Sequence, residues 1–95
     1  MRELDRTVHE PARLAILTVL AAAGDVEFRY LESATGQPCG NLSSHVSKLE
    51  AAGYVEVSKA FRGKVPVTSL QVTADGRAAL EAYRRNLLEA LGPRR

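Results

Sequence analysis

Asparagine, serine and lysine carry the groups that grip and read nucleic acid. Asn and Ser offer hydrogen bonds to base edges and phosphate oxygens, and Lys neutralises a phosphate. Residues 38–52 gather these types on one side. Leu42, Val46 and Leu49 recur at i, i+4 and i+7, which is a narrow apolar seam on a helix. At about 100° per residue, the opposite face holds Gly40, Asn41, Ser44, Ser47, Lys48 and Ala51. Small residues there let a helix come close to a groove. An ordinary solvated helix face has the same composition, so this face does not decide the matter by itself. A second cluster follows at 59–66. Lys59, Arg62 and Lys64 lie beside Gly63 and Pro66, with no acid between Ser58 and Ser69. Cations at a hairpin tip can follow a phosphate backbone or enter a narrow minor groove, where Arg is favoured. They also protect an exposed β-edge from pairing. A basic tip next to a polar helix face makes duplex DNA the better reading of the two clusters together.

Other chemistries find less support. Ser43, Ser44, His45 and Ser47 look like a catalytic group in print, but helix neighbours point about 100° apart and do not face each other. No nucleophile is paired with a base and an orienting acid, and there is no Gly-rich phosphate loop, so an enzyme is not expected. Cys39 is the single cysteine, and His9 and His45 are the two histidines. They lack the spacing of a metal site, and no metal or cofactor is expected. Cys39 opens the polar helix near its seam. A thiol there is expected to be buried, inert packing rather than a redox switch. The 95 residues are 45% hydrophobic and 25% charged, with 13 basic against 11 acidic side chains and a net charge of +2. This balance suits a single globular domain spanning 1–95. It permits a nucleic-acid partner without requiring one. No apolar run approaches the ~20 residues of a membrane span, and no secretory signal opens the chain, so a cytoplasmic protein is expected.

The elements that must position these residues can be read from punctuation and period. Residues 1–9 are polar and unpatterned, and fraying is expected there in a monomer. Pro11 suits a first helical turn, and Gly24 suits a helix end. Leu14, Leu17 and Leu20, with Ile16 beside them, make this first helix the central core element. Asp25-Val26-Glu27 reads as an extended link. A short helix from Phe28 to Thr35 buries Phe28 and Leu31 and stops at Gly36. The polar helix follows, over 38–52. Tyr54 to Lys59 and Thr68 to Val72 alternate with period two and read as the strands of a hairpin turning over Arg62 to Pro66. Thr73 is an N-cap for a last helix over about 74–91. Leu80, Tyr83, Leu87 and Leu91 share a stripe on it, with Leu88 beside them. A helix of that length spans ~27 Å, longer than a domain this small needs, so its distal half is expected to meet a partner chain.

This order of helix, short helix, turn, helix, hairpin and long helix is a mainly α (α+β) fold. Two helices joined near Gly36 make a helix-turn-helix over about 28–52, and the hairpin over about 54–72 makes its wing. Glu10-Pro11-Ala12-Arg13-Leu14-Ala15-Ile16-Leu17 resembles the opening helix of winged-helix transcriptional regulators of the MarR/ArsR type. Gly40 to Val55, reading GNLSSHVSKLEAAGYV, is similar to their recognition helix and its exit into the wing. Val72 to Leu80, reading VTADGRAAL, is similar to the start of their last helix. The resemblance covers about residues 8 to 91 and is nearest to a minimal winged-helix group.

The resemblance implies a homodimer that binds double-stranded DNA at a pseudo-palindromic operator and represses by steric block. It puts recognition helix 38–52 in the major groove and the 59–66 wing on the backbone or minor groove. The implied DNA contacts are Asn41, Ser43, Ser44, His45, Ser47 and Lys48 on the helix, and Lys59, Arg62 and Lys64 on the wing. The implied dimer contacts are Leu80, Tyr83, Leu87, Leu88 and Leu91, helped by residues 1–9. Metal-sensing relatives carry paired cysteines on the recognition helix, which this chain lacks. Larger relatives enclose an effector pocket with extra helices, so a small-molecule effector is not expected here. The alternative is a winged-helix module that binds protein and not DNA, since fold does not fix function.

Overall fold

In the computed structural model, which describes residues 4–92, seven elements follow each other. They are α1 (Pro11–Ala23), β1 (Val26–Glu27), α2 (Phe28–Thr35), α3 (Cys39–Ala51), β2 (Val55–Arg62), β3 (Val65–Val72) and α4 (Ala74–Leu91). The expected winged helix-turn-helix is the observed fold. Its helix limits follow local chemistry. Glu10 caps α1, its side chain accepting a 2.8 Å bond from the Arg13 backbone N–H. Gly36 ends α2 in the left-handed conformation at φ 70°. Thr73 caps α4 by accepting from the Gly76 N–H at 3.0 Å.

Four helices and a small sheet meet around one core. Ile16, Leu17 and Leu20 of α1, Leu31 of α2, and Leu42, Val46 and Leu49 of α3 are buried together with Val55 and Leu70 of the sheet. Leu80 and Tyr83 of α4 are buried in the same core. Little of either is therefore left exposed for a second chain. Periodicity placed them on the stripe with Leu91, but their own domain covers them. Phe28 is only partly buried, at the margin of this core.

Two segments differ from the sequence expectation. The link at 26–27 is a strand, with Val26 opposite Leu70 and Glu27 opposite Ser69. The sheet is therefore three-stranded and antiparallel, in the order β1-β3-β2. The hairpin is also longer than expected, with eight paired positions from Val55↔Val72 to Arg62↔Val65. Gly63 and Lys64 alone form the turn. Gly63 has φ 65°, and a positive φ at the first central position is what a two-residue hairpin turn of the primed type asks of the chain. Pro66 is accommodated within β3 because β1 pairs only at Leu70 and Ser69. Beside Pro66 that side of β3 is an open edge, where a missing N–H is tolerated.

Against the expected fraying before α1, the described residues there are tied down by hydrogen bonds and burial. Asp5 accepts from the backbone N–H of Thr7 at 2.8 Å and of Val8 at 3.3 Å, closing a turn. That turn drives Val8 fully into the core. Tyr54 donates to the second Asp5 oxygen at 2.6 Å, and His9 Nδ1 lies 2.8 Å from the Tyr83 hydroxyl. Residues 1–3, part of the expected dimer contribution, lie outside the described residues. The molecule measures 56 × 24 × 21 Å with a radius of gyration of 14.5 Å, above the ~12–13 Å of a compact chain this long. The exposed outer hairpin and the distal end of α4 account for the elongation.

Two consequences can be measured. Gly76 is buried in α4, and an added Cβ would strike the Tyr54 carbonyl oxygen and come within 2.8 Å of Val72 Cγ2. Gly76→Ala is therefore expected to lose about 1–3 kcal/mol in urea unfolding through overpacking. Gly40→Ala meets open space and should gain at most about 1 kcal/mol. Equal effects at both positions would refute the packing argument.

The second concerns Tyr54, whose pKa is pushed up to about 12 from 10.0 by its hydrogen bond to Asp5, then by burial and by the charges of Asp5 and Asp75. The fold favours the neutral phenol. Its stabilisation is complete below pH about 10 and is lost as pH rises through about 12. Asp5→Asn should bring one of the three tyrosines back toward ordinary titration, followed by ultraviolet phenolate absorbance. An unchanged titration would sink the Asp5–Tyr54 link.

Candidate nucleic-acid interface

Burial of one side of α3 fixes what the other side presents. Leu42 and Leu49 are fully buried and Val46 is 6% exposed. Asn41, Ser43, Ser44, Ser47 and Lys48 are all exposed. The helix therefore carries an outward surface of amide, hydroxyl and ammonium groups, and Gly40 keeps its first turn thin. Glu50 is the one acid of α3 and is also exposed.

His45 stands apart from this surface. It is half-buried, and its Nδ1 lies 3.2 Å from Arg13 Nη1. Guanidinium nitrogen can only donate, so Nδ1 accepts and the ring proton of neutral His45 sits on Nε2. That nitrogen lies 3.9 Å from a Glu10 carboxylate oxygen. Arg13 also donates through Nε to the Thr7 carbonyl at 2.6 Å. One arginine thus ties the N-terminal segment, α1 and α3 together. Burial pushes the Glu10 carboxyl up, but backbone N–H groups of Arg13 and Ala12 and the nearby His45 and Arg13 outweigh it, leaving its pKa below the ordinary value. His45 is thereby a support beneath the exposed face, turned inward instead of standing among the outward contacts.

The wing residues separate in the same way. Lys59 is not at the hairpin tip. It stands in the middle of β2, opposite Thr68. Lys59 and Thr68 face Ser43 and Ser47 across an open cleft of about 600 Å³, which Glu50 also lines. Arg62 is near the tip but engaged: its guanidinium donates to Glu27 of β1 at 2.7 Å. That bond and the Glu27 charge hold its pKa above the usual value. Lys64 is exposed in the turn. The structure thus brings Ser43, Ser47 and Lys59 together, keeps Asn41, Ser44 and Lys48 on the same outward face, and takes His45 and Arg62 into contacts of their own. Sequence reasoning missed Phe61, which lies on β2 beyond Lys59 and is 75% exposed. The alternation of Val57, Lys59 and Phe61 was the available signal.

Cys39, at the first position of α3, is exposed, and the expectation of buried packing is corrected. Its side of the helix precedes the seam, which begins only at Leu42. Among the described residues there is no group of three or more His, Cys, Asp or Glu able to hold a metal ion. No helix among them is long and apolar enough to cross a membrane.

Comparison with known proteins agrees with this fold. The chain is 36% identical over 78 residues to an uncharacterized protein of Methanocaldococcus jannaschii, covering 81% of this chain and 84% of that one. Its fold is similar to a transcriptional regulator homologue from Pyrococcus horikoshii, with a TM-score of 0.79 and 24% identity over 94% of this chain and 91% of the other. A MarR-like transcription regulator of Bacillus cereus superposes with a TM-score of 0.68 and 18% identity, covering 92% of this chain and 67% of that one. Residues 12–91 match the winged helix DNA-binding domain family, and the chain belongs to that family.

Proposed function

We propose that this protein is a homodimeric, cytoplasmic transcriptional regulator that binds a specific duplex sequence, with α3 in the major groove and the hairpin along the flanking backbone or minor groove. The observation that carries the reading is the outward face of α3. Five exposed polar side chains, Asn41, Ser43, Ser44, Ser47 and Lys48, stand opposite a fully packed seam. Lys59 faces two of these residues across the cleft and is well placed to neutralise a phosphate beside the groove. Lys64 serves the same purpose further out. Arg62 can reach DNA only by leaving Glu27, and His45 contributes by holding α3 in place. Repression by occupation of the operator is the simplest action of a chain with this make-up.

The test is affinity for duplex DNA as salt is raised. A dimer touching about 6–10 phosphates loses ~10³–10⁵ in affinity between 50 and 200 mM salt. Ser44→Glu, which puts a negative charge on the outward face, should abolish binding while the thermal midpoint barely moves. Lys48→Ala should weaken binding and flatten the salt slope by about one contact. Wild-type affinity in Ser44→Glu would remove α3 as the reader. A salt-insensitive interaction, or none at low salt, would put the protein-binding module in its place.

Dimerisation is assigned to the distal part of α4. Leu88 and Leu91 are 68% and 72% exposed, and Leu87 is partly buried beside them. Large apolar groups on a projecting helix favour a second copy as their cover. Light scattering should give twice the chain mass for the wild type and the single mass for Leu88→Glu/Leu91→Glu. The double variant should also lose most of its DNA affinity, because two half-sites about one helical turn apart no longer act together. A monomeric wild type would end the dimer reading.

A further inference from the structure

The register of the hairpin sorts its side chains onto two faces. Val57, Lys59 and Phe61 share one face with their partners Leu70, Thr68 and Pro66. This face starts in the core at Leu70, which is fully buried. It continues through the cleft, where Lys59 and Thr68 look toward Ser43 and Ser47 of α3. It ends at Phe61, two positions and about 7 Å beyond Lys59 along the strand. Phe61 is the most exposed of the large apolar side chains described. Its ring therefore stands on the side of the hairpin that α3 also faces.

The outer hairpin that carries Phe61 has only cations among its charged side chains, while Glu27, held by Arg62, and Glu50, lining the cleft beside Lys59, are acids that approach it from other elements. From Val57 to Gln71 the chain holds Lys59, Arg62 and Lys64 and no acid. Among the described residues, neither Lys59 nor Lys64 has an ion-pair partner, while Arg62 is bonded to Glu27. An aromatic ring between two lysines suits a polyanion that also offers an apolar or stacking surface. Duplex DNA has both, and a base step opened from the minor groove exposes its stacking faces.

We propose that Phe61 is a wedge that enters the minor groove flanking the sequence read by α3, and that it makes the protein select for an easily unstacked pyrimidine–purine step there. The inference rests on the DNA-binding reading and adds a residue that determines specificity to it. Lys59 neutralises the phosphate at the groove wall, and Phe61 meets the base step beyond. Pyrimidine–purine steps yield at least cost, whereas an A-tract resists. The protein would then prefer particular flanking sequence without any hydrogen bond to it.

The experiment is selection from a random duplex pool by the wild type, Phe61→Ser and Phe61→Leu, followed by sequencing. Position 61 is solvent-exposed, so the variants should keep the wild-type thermal midpoint. The wild type should enrich a central motif together with TpA or CpA steps at a fixed distance on both sides. Phe61→Ser should retain the central motif and lose the flanking enrichment. Phe61→Leu should retain both, because Leu also serves as a wedge. On the selected duplex, changing the flanking TpA to ApA should cost the wild type about tenfold in affinity and leave Phe61→Ser unaffected. End-to-end fluorescence transfer should report a bend with the wild type and a straighter duplex with Phe61→Ser. Identical flanking sequences and bends for wild type and Phe61→Ser would overturn the wedge and leave the DNA reading standing. Failure of every protein to enrich any motif would overturn both.

Discussion

Three side chains of α3, Leu42, Val46 and Leu49, set the orientation of the surface proposed to meet DNA. A seam so narrow leaves the helix one way to pack. Rotating α3 by one position would bring polar side chains into the core and expose leucine, and each buried leucine lost to water costs roughly 1.5–3 kcal/mol. Asn41, Ser44 and Lys48 gain nothing from each other as neighbours in the fold. They point outward because the seam points inward. The helix packs on α1 and β2, so the pose of α3 against the rest of the domain is decided by apolar packing and not by its own polar side chains.

Packing alone leaves a helix free to slide or tilt slightly, and a polar tie answers this. Arg13 leaves α1 and bonds the Thr7 carbonyl on one side and His45 of α3 on the other. Glu10 caps the same turn of α1 and lies beside His45. The segment held by Arg13 is also fastened by Asp5 to Tyr54, at the exit of α3, and by His9 to Tyr83 of α4. The short stretch before α1 is therefore tied to the exit of α3 and to α4, and through Glu10 and Arg13 to the middle of α3. Its anchors are partly buried, where hydrogen bonds hold better than on an open surface.

The helix limits were legible because they are marked locally. Pro11, Gly24, Gly36 and Thr73 each act within a few residues, and the seam of α3 needs only its own spacing. The wing's existence was legible from its alternation, but its length was not, because Pro66 reads as a break. Only the absence of a β1 partner at that position makes it harmless. Strand β1 has two residues and owes its status to Leu70 and Ser69, more than forty positions away. Val8 is one apolar residue in a polar stretch, and nothing in the spacing reveals that the Asp5 turn will bury it. The stripe on α4 shows a related limit. Periodicity groups Leu80, Tyr83, Leu87 and Leu91 on a face, but it cannot say which chain covers that face. At the candidate site, exposure of the α3 contacts followed from the seam. The withdrawal of His45 to Arg13 and of Arg62 to Glu27 depended on long-range partners that the sequence does not display.

The described residues also explain why uncovered apolar groups sit where they do. The core ends at Val57 on the hairpin and at Leu87 on α4, both only partly buried. Beyond these points each element continues past the domain, and there Phe61, Leu88 and Leu91 are exposed. A chain of 95 residues has too small a core to cover both extensions. In the proposed dimer the two ends have different tasks, one meeting a second copy and the other meeting DNA. The distance between two reading helices then depends on the path from α4 through α1 to α3. That path is the one spanned by Tyr83–His9 and Arg13–His45. The polar ties thus matter less for how tightly one α3 binds than for whether two of them arrive at the spacing of one helical turn.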